Sequence, residues 1–222
     1  MASVGEIFVD LVNNMRPDLA EIYDGARTES LSDWKTRQNA MVTASGAASV
    51  SIPGLHLAGL AADVAFVLNR MGTASYGVGA IVGHQACADN ILEEEDFSLI
   101  LAYWADDEDV MQAMKGKAGA DLSAKVSAKL AGKVLGKSSV KILTKTMISS
   151  ATYLATQKVG GKLLAKPAAK FAAKFAAKGA AGFVPFLGAV VGGGVNLWLL
   201  NGIQDAAEEF YKDKITLADS LS

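Results

Sequence analysis

Lysine returns at every fourth position over two long stretches of this chain, and that spacing restricts the fold more than any other feature. The first ladder is Lys125, Lys129, Lys133, Lys137, Lys141 and Lys145; the second is Lys158, Lys162, Lys166, Lys170, Lys174 and Lys178. The residues between are mostly small or apolar, so both ladders read as helical. Four residues turn an α-helix through about 400°, which displaces each lysine about 40° from the last and winds six of them through about 200°. A straight helix cannot hold such a ladder on one face. It must supercoil, kink or divide, and Gly132, Gly136, Gly160, Gly161 and Pro167 provide places to divide. Small residues stand beside the lysines, Ala124, Ala128, Gly132 and Gly136 in one ladder and Ala165, Ala169, Ala173 and Ala177 in the other. Each helix therefore offers a seam for close packing, an apolar flank and a cationic edge.

The net charge of −2 hides a strong segregation. Residues 1–110 carry 17 acids and 5 bases, residues 111–200 carry 1 acid and 14 bases, and residues 201–222 carry 5 acids and 2 bases. Either the acidic and basic parts face each other in the fold, or the basic part meets an anionic partner. Like charges four residues apart on a helix repel by a few tenths of a kcal/mol per pair, roughly, so a ladder calls for neighbouring anions. The candidates are the acidic N-terminal half, lipid headgroups and nucleic acid. Specific nucleic-acid binding is disfavoured, because all 14 bases of the middle block are lysine and few aromatics stand among them. Lysine stems that lie along apolar surface while their ammonium groups reach outward suit a membrane interface. For any single lysine the alternative is the solvated rim of a soluble bundle.

Two stretches have no acid, lysine or arginine: residues 38–62 and residues 179–204. The second exceeds the roughly 20 residues needed to cross a bilayer. Pro185, the triplet Gly192, Gly193 and Gly194, and Asn196, Asn201 and Gln204 dilute it, however. It reads as a re-entrant hairpin or a buried core helix in preference to a plain span.

Helix signals dominate the rest and strand signals are poor, so the expected class is all-α: a compact helical bundle with glycine-rich buried or membrane-inserting helical hairpins. At 51% hydrophobic and 20% charged residues the chain is no candidate for disorder. A first helix is expected over residues 5–23 with a break at Pro17, a second from Ser32, and a third from Pro53 to a cap at Gly72. The segment from Ile91 reads as amphipathic, and Asp106, Asp107, Glu108 and Asp109 suit the N-terminus of the helix after it. Near the C-terminus Trp198, Leu199, Ile203, Ala206 and Phe210 are expected to face inward. Glu6 and Asp10 interrupt what would be the apolar part of a leader, and Cys87 is the one cysteine. Both favour a cytoplasmic protein.

The segments "IPGLHLAGLAADVAFVLNRM" and "VPFLGAVVGGGVNLWLLNGI" echo each other, each passing from a β-branched residue and proline to a polar residue, Asp63 or Asn196, about three turns on. With "ASYGVG" and "DAAEEFYKDK", these segments resemble the EcsC protein family. The residues carrying the likeness are Pro53, Gly54, Asp63, Tyr76, Gly77, Pro185, Gly188 and Asn196, and it spans roughly residues 35–214. The expected organisation is then one domain over residues 1–222: an N-terminal helical extension (1–34), a family-like core (35–214) and a tail (215–222). The resemblance implies a helical protein at the inner membrane, peripheral or partly inserted, with a transporter or another protein as partner and no established chemistry. The regular lysine ladders and the acidic cluster depart from that pattern.

Chemical sites are sparse. His56, Asp63, His84 and Cys87 form a four-ligand metal set only if two glycine-rich segments pack together, and no metal or cofactor is expected. Glu93, Glu94, Glu95 and Asp96 point in different directions on a helix and read as a solvated acidic face. The "GVGAIVG" run lacks the lysine and serine or threonine of a phosphate cradle. No serine-nucleophile or zinc-protease motif is present, so the expected function is non-catalytic. The chain is read as binding an anionic lipid surface through its lysine ladders, accessory to transport or envelope function or perturbing the membrane. The alternatives are a soluble interaction module, with acidic and basic faces paired internally or across a homo-oligomer, and a metal-dependent enzyme.

Overall fold

The computed structural model describes residues 4–49, 56–88, 91–115, 163–181 and 187–219. The first lysine ladder, Lys158 and Lys162 of the second, and Pro53, Gly54 and Pro185 lie outside them, as do the side chains of His56, Asp63 and Lys178. Eight helices and no strand occur among the described residues: α1 (Val4–Asn14), α2 (Leu19–Ala26), α3 (Leu31–Ser49), α4 (His56–Gln85), α5 (Asp96–Trp104), α6 (Glu108–Met114), α7 (Ala165–Ala181) and α8 (Leu187–Asp219). The all-α class is as expected.

Local chemistry sets the helix ends. Pro17 separates α1 from α2, and Asp18 then caps α2 by accepting the amide of Glu21 at 3.0 Å. The cap of α3 is Ser30 and not Ser32: its Oγ accepts the Asp33 amide at 3.1 Å and donates to the Asp33 carboxylate at 2.7 Å. Helix α4 does not stop at Gly72. There the missing side chain makes room for Met15, and the helix runs on to Gln85. It ends where Cys87 takes a left-handed φ of 54°, so that the Ala88 amide reaches back to the Gly83 carbonyl at 2.8 Å and the Cys87 amide to that of His84. Asp106, φ 55°, ends α5 in the same way, with the Asp107 amide on the Ala102 carbonyl. The stretch from Ile91 is therefore only half helix. Its helical part, α5, is buried from Asp96 to Trp104 save for Ser98.

The three long helices fix the axis of the bundle. Helix α3 runs antiparallel to α8: Lys35 meets Asp205 and Glu208, Asn39 meets Asn201, and Asn196 donates to the Val42 carbonyl. It also runs antiparallel to α4, with the Trp34 indole N–H on the Ala74 carbonyl and Arg70 on Gln38. Helices α4 and α8 are thus parallel, and Gly79 lies against the ring of Tyr211. Helices α1 and α7 meet through Phe8 and Phe171, ring centroids 4.9 Å apart. One hydrophobic cluster joins all these elements, including Phe8, Val12 and Ala26 from the expected N-terminal extension. Each large side chain buried in it contributes about 1.5–3 kcal/mol. Among the described residues no helix is long and apolar enough to cross a membrane.

Candidate functional site

The two ends of this bundle differ in kind. At one end the last turns of α8 meet the turn before α5. Lys214, 1% exposed, donates to both oxygens of Asp96, itself 0% exposed, at 2.7 and 3.0 Å and to the Ile91 carbonyl at 2.6 Å; Glu93 lies 3.5 Å away. The Asp96 carboxylate also accepts the Tyr211 hydroxyl at 3.1 Å and the Glu93 amide at 2.9 Å. Burial pushes the Asp96 carboxyl up from its usual range although Lys214 pulls it down, and burial likewise raises Glu93. The Tyr211 hydroxyl is raised too, first by burial and then by the Asp96 charge. Asp96 was expected on a solvated acidic face. It is drawn inside because it begins α5, and α5 has almost no exposed side. The constellation resembles a catalytic one in composition only: every group in it is already engaged by another.

The same end carries further internal pairs. Tyr103 donates to Asp213 at 2.9 Å, and Lys115 lies 2.5 Å from Glu209. Tyr76 donates to the Glu94 carbonyl at 2.7 Å, while Gly77 leaves room for the Trp34 ring. The Tyr-Gly pair thus serves packing.

At the other end, counting back 13 residues from the Gly79 and Tyr211 contact reaches Phe66 on α4 and Trp198 on α8, at one level about 20 Å along the axis. Met41 on α3 falls at that level, since Asn39 faces Asn201 and Val42 faces Asn196. Met41, Phe66 and Trp198 are the large apolar side chains exposed among the described residues, at 42%, 37% and 41%. Trp198 was expected to face inward. It instead packs on the edge of buried Trp104, centroids 6.0 Å apart, with its outer face free for Lys174, whose Nζ stands 4.2 Å from the ring centroid. Arg70 stands in the same relation to Phe66, at 5.8 Å. Beyond this collar lie the last turns of α3 and the first turns of α4 and α8, in which Asp63 is the one charged residue.

The ladder lysines of α7 divide accordingly. Lys166 lies 3.4 Å from Asp107, and Lys170 lies 3.2 Å from Asp106, donates to the Trp104 carbonyl and stands over the Trp104 ring. Lys174, one turn further, has only the Trp198 ring among the described residues. Lys178 is on α7 beyond it. Of the remaining sequence candidates, Asn196 is buried between α8 and α3, and Gly188 is the second residue of α8. His84 and Cys87 are exposed at the end of α4. His56 opens α4, and Asp63 stands two turns on, so both are far along the helix from His84. Among the described residues no group of three histidines, cysteines or acids could hold a metal.

Sequence reasoning passed over Met41, Phe66, Arg70 and Lys214. Arg70 carried a signal, being the sole lysine or arginine between Arg37 and Lys115. No protein-family model, no curated protein and no solved structure matches the chain.

Proposed function

We propose that the protein is a non-catalytic, peripheral membrane protein that seats the uncharged end of its bundle in an anionic lipid surface, at the cytoplasmic face of the inner membrane. The observation carrying this reading is the single level shared by Met41, Phe66 and Trp198, three exposed apolar side chains on three helices with nearly uncharged helix beyond them. Aromatic residues with cations alongside are the composition that collects at the boundary between hydrocarbon and headgroup. The described parts of the EcsC-like segments, residues 56–64 and 187–196, belong to this end, which supports the glycine-rich inserting hairpins proposed for it. An accessory role beside a transporter, or in the envelope, follows from that resemblance.

Flotation with vesicles tests the reading. Full-length protein is expected to float with vesicles containing anionic lipid, and the double substitution F66S/W198S is expected to lower binding at least ten-fold per folded molecule, with thermal melting to normalise for the lost Trp104 contact. Protein that stays at the bottom of the gradient with every lipid composition overturns it.

The alternative, a soluble interaction module with internally paired faces, is favoured by a different observation. Lys35, Lys115, Lys166 and Lys170 each lie against a carboxylate of the acidic segments. Monodisperse behaviour without detergent together with no lipid affinity would select it.

A further inference from the structure

Among the described side chains, nearly every lysine and arginine has a carboxylate of this chain within ion-pair distance. Three do not. Arg16 donates to the Asn13 and Met15 carbonyls at the end of α1. The other two are Arg70 and Lys174, and both stand at the collar, each over one of its exposed aromatic rings. Arg70 has in addition only a long bond, 3.4 Å, to the Gln38 side chain. Apart from Arg16, the described cations that lack a carboxylate therefore sit at the rim of the uncharged end.

Resting on the membrane reading above, we propose that Arg70 and Lys174 are the headgroup-binding cations of the collar, taking the phosphates of anionic phospholipids while Phe66 and Trp198 enter the leaflet beside them. The geometry suits that task. Each cation lies on the ring of a residue one turn away or on the adjacent helix, so its charge is held at the depth where the ring meets the headgroups. Arg70 can grip a phosphate with two parallel N–H donors, and Lys174 binds one as a point charge. Neither must give up a carboxylate to do so, whereas Lys166 and Lys170 would have to leave Asp107 and Asp106. Among the described side chains, anionic selectivity at this end thus belongs to two residues, only one of them in the lysine ladder.

The test uses the full chain with vesicles of phosphatidylcholine alone and with about a third phosphatidylserine. Each cation near such a surface contributes about five-fold in affinity, so R70Q/K174Q is expected to bind anionic vesicles roughly 25-fold more weakly and neutral vesicles within two-fold of the native chain. The charge-conserving pair R70K/K174R should keep the anionic preference. In K166Q/K170Q that preference should change by less than about two-fold per folded molecule, with thermal melting to normalise for folding. Binding of the native chain with an unaltered anionic preference in R70Q/K174Q overturns this inference and leaves the membrane reading standing. No binding of the native chain to either vesicle overturns both. Trp198 supplies a readout that needs no variant at these cations: Trp34 and Trp104 are buried, so quenching by a headgroup-level lipid probe on anionic vesicles reports the collar. Quenching that is stronger from a probe at the bilayer midplane would contradict the assigned depth.

Discussion

The two ends of this bundle handle charge in opposite ways. Around Lys214 and Asp96 the chain encloses ionised groups and satisfies them itself, with an ammonium, a carboxylate, a hydroxyl, an amide and a carbonyl locked together. Roughly 24 Å away along α8, around Trp198, the ends of α3, α4 and α8 carry no charged residue but Asp63, and two cations stand at the rim with no carboxylate in ion-pair distance among the described residues. Among the described residues the first end satisfies its polar groups internally, whereas the second leaves Met41, Phe66 and Trp198 exposed. A protein whose charge count nearly cancels can thus still present a one-sided surface, because cancellation is local.

The comparison breaks most visibly at the closed end. Asp96→Ala leaves Lys214 buried with one carbonyl and a more distant Glu93, and should cost about 3–5 kcal/mol of stability by urea unfolding. Replacing both partners by apolar residues, D96L/K214M, should recover most of that loss, since buried pairs are strongly destabilised by removing one partner and weakly by removing both. Membrane binding per folded molecule should be unchanged in either. A cost for Asp96→Ala below about 1 kcal/mol would mean that the pair does not hold the closed end together.

Glycines sharpen the contrast at the next level of effect. A methyl group on Gly77 or Gly79 would overlap the ring of Trp34 or Tyr211, so Gly77→Ala and Gly79→Ala should each cost about 1–3 kcal/mol. On α8 toward the uncharged end, a methyl on Gly194 would meet nothing within 4 Å. Gly194→Ala should therefore stabilise by up to about 1 kcal/mol through helix propensity alone. Thermal melts of the three variants side by side check both signs. If Gly194→Ala proves destabilising, that position is packed against something at the open end.

Much of this fold is written locally. The break at Pro17, the acidic start of α6 and the inward positions Leu199, Ile203, Ala206 and Phe210 follow from spacing and capping chemistry. The misplaced cap at Gly72 shows where local reading ends: the same glycine that could stop a helix is here a notch for Met15, and only the partner distinguishes the two. Asp96 is the same lesson in electrostatics. Nothing within its own helix turn reveals Lys214, which lies 118 residues away. The collar was half visible. Two uncharged stretches were plain in the sequence, but their convergence at one end, and the level shared by Met41, Phe66 and Trp198, depend on the register of α3, α4 and α8. That register is set by long-range contacts such as Asn39 with Asn201.

The smallest effect tests whether the middle of the bundle behaves like its closed end. Glu208 accepts from Lys212 at 2.6 Å and Lys35 at 2.8 Å, and these bonds, that of Lys212 first, hold its carboxyl below the usual range. A carboxyl depressed in the folded state adds stability that is present above its unfolded value and is lost as pH falls through the folded one. Asp96 and Glu93, raised mainly by burial, act with the opposite sign: the folded state takes up their protons first, so stability falls as pH rises from the unfolded value through the raised one. Glu208→Gln should therefore remove part of the loss on acidification while leaving the opposing contribution of Asp96 in place. Because Glu208 is partly exposed to solvent, the difference between native and variant unfolding free energies should change by only about 0.5 kcal/mol between neutral pH and pH well below the carboxylate range. A variant whose stability is more sensitive to acid than that of the native chain would reverse the sign and place the ionised pair at Lys35 among the interactions that oppose folding.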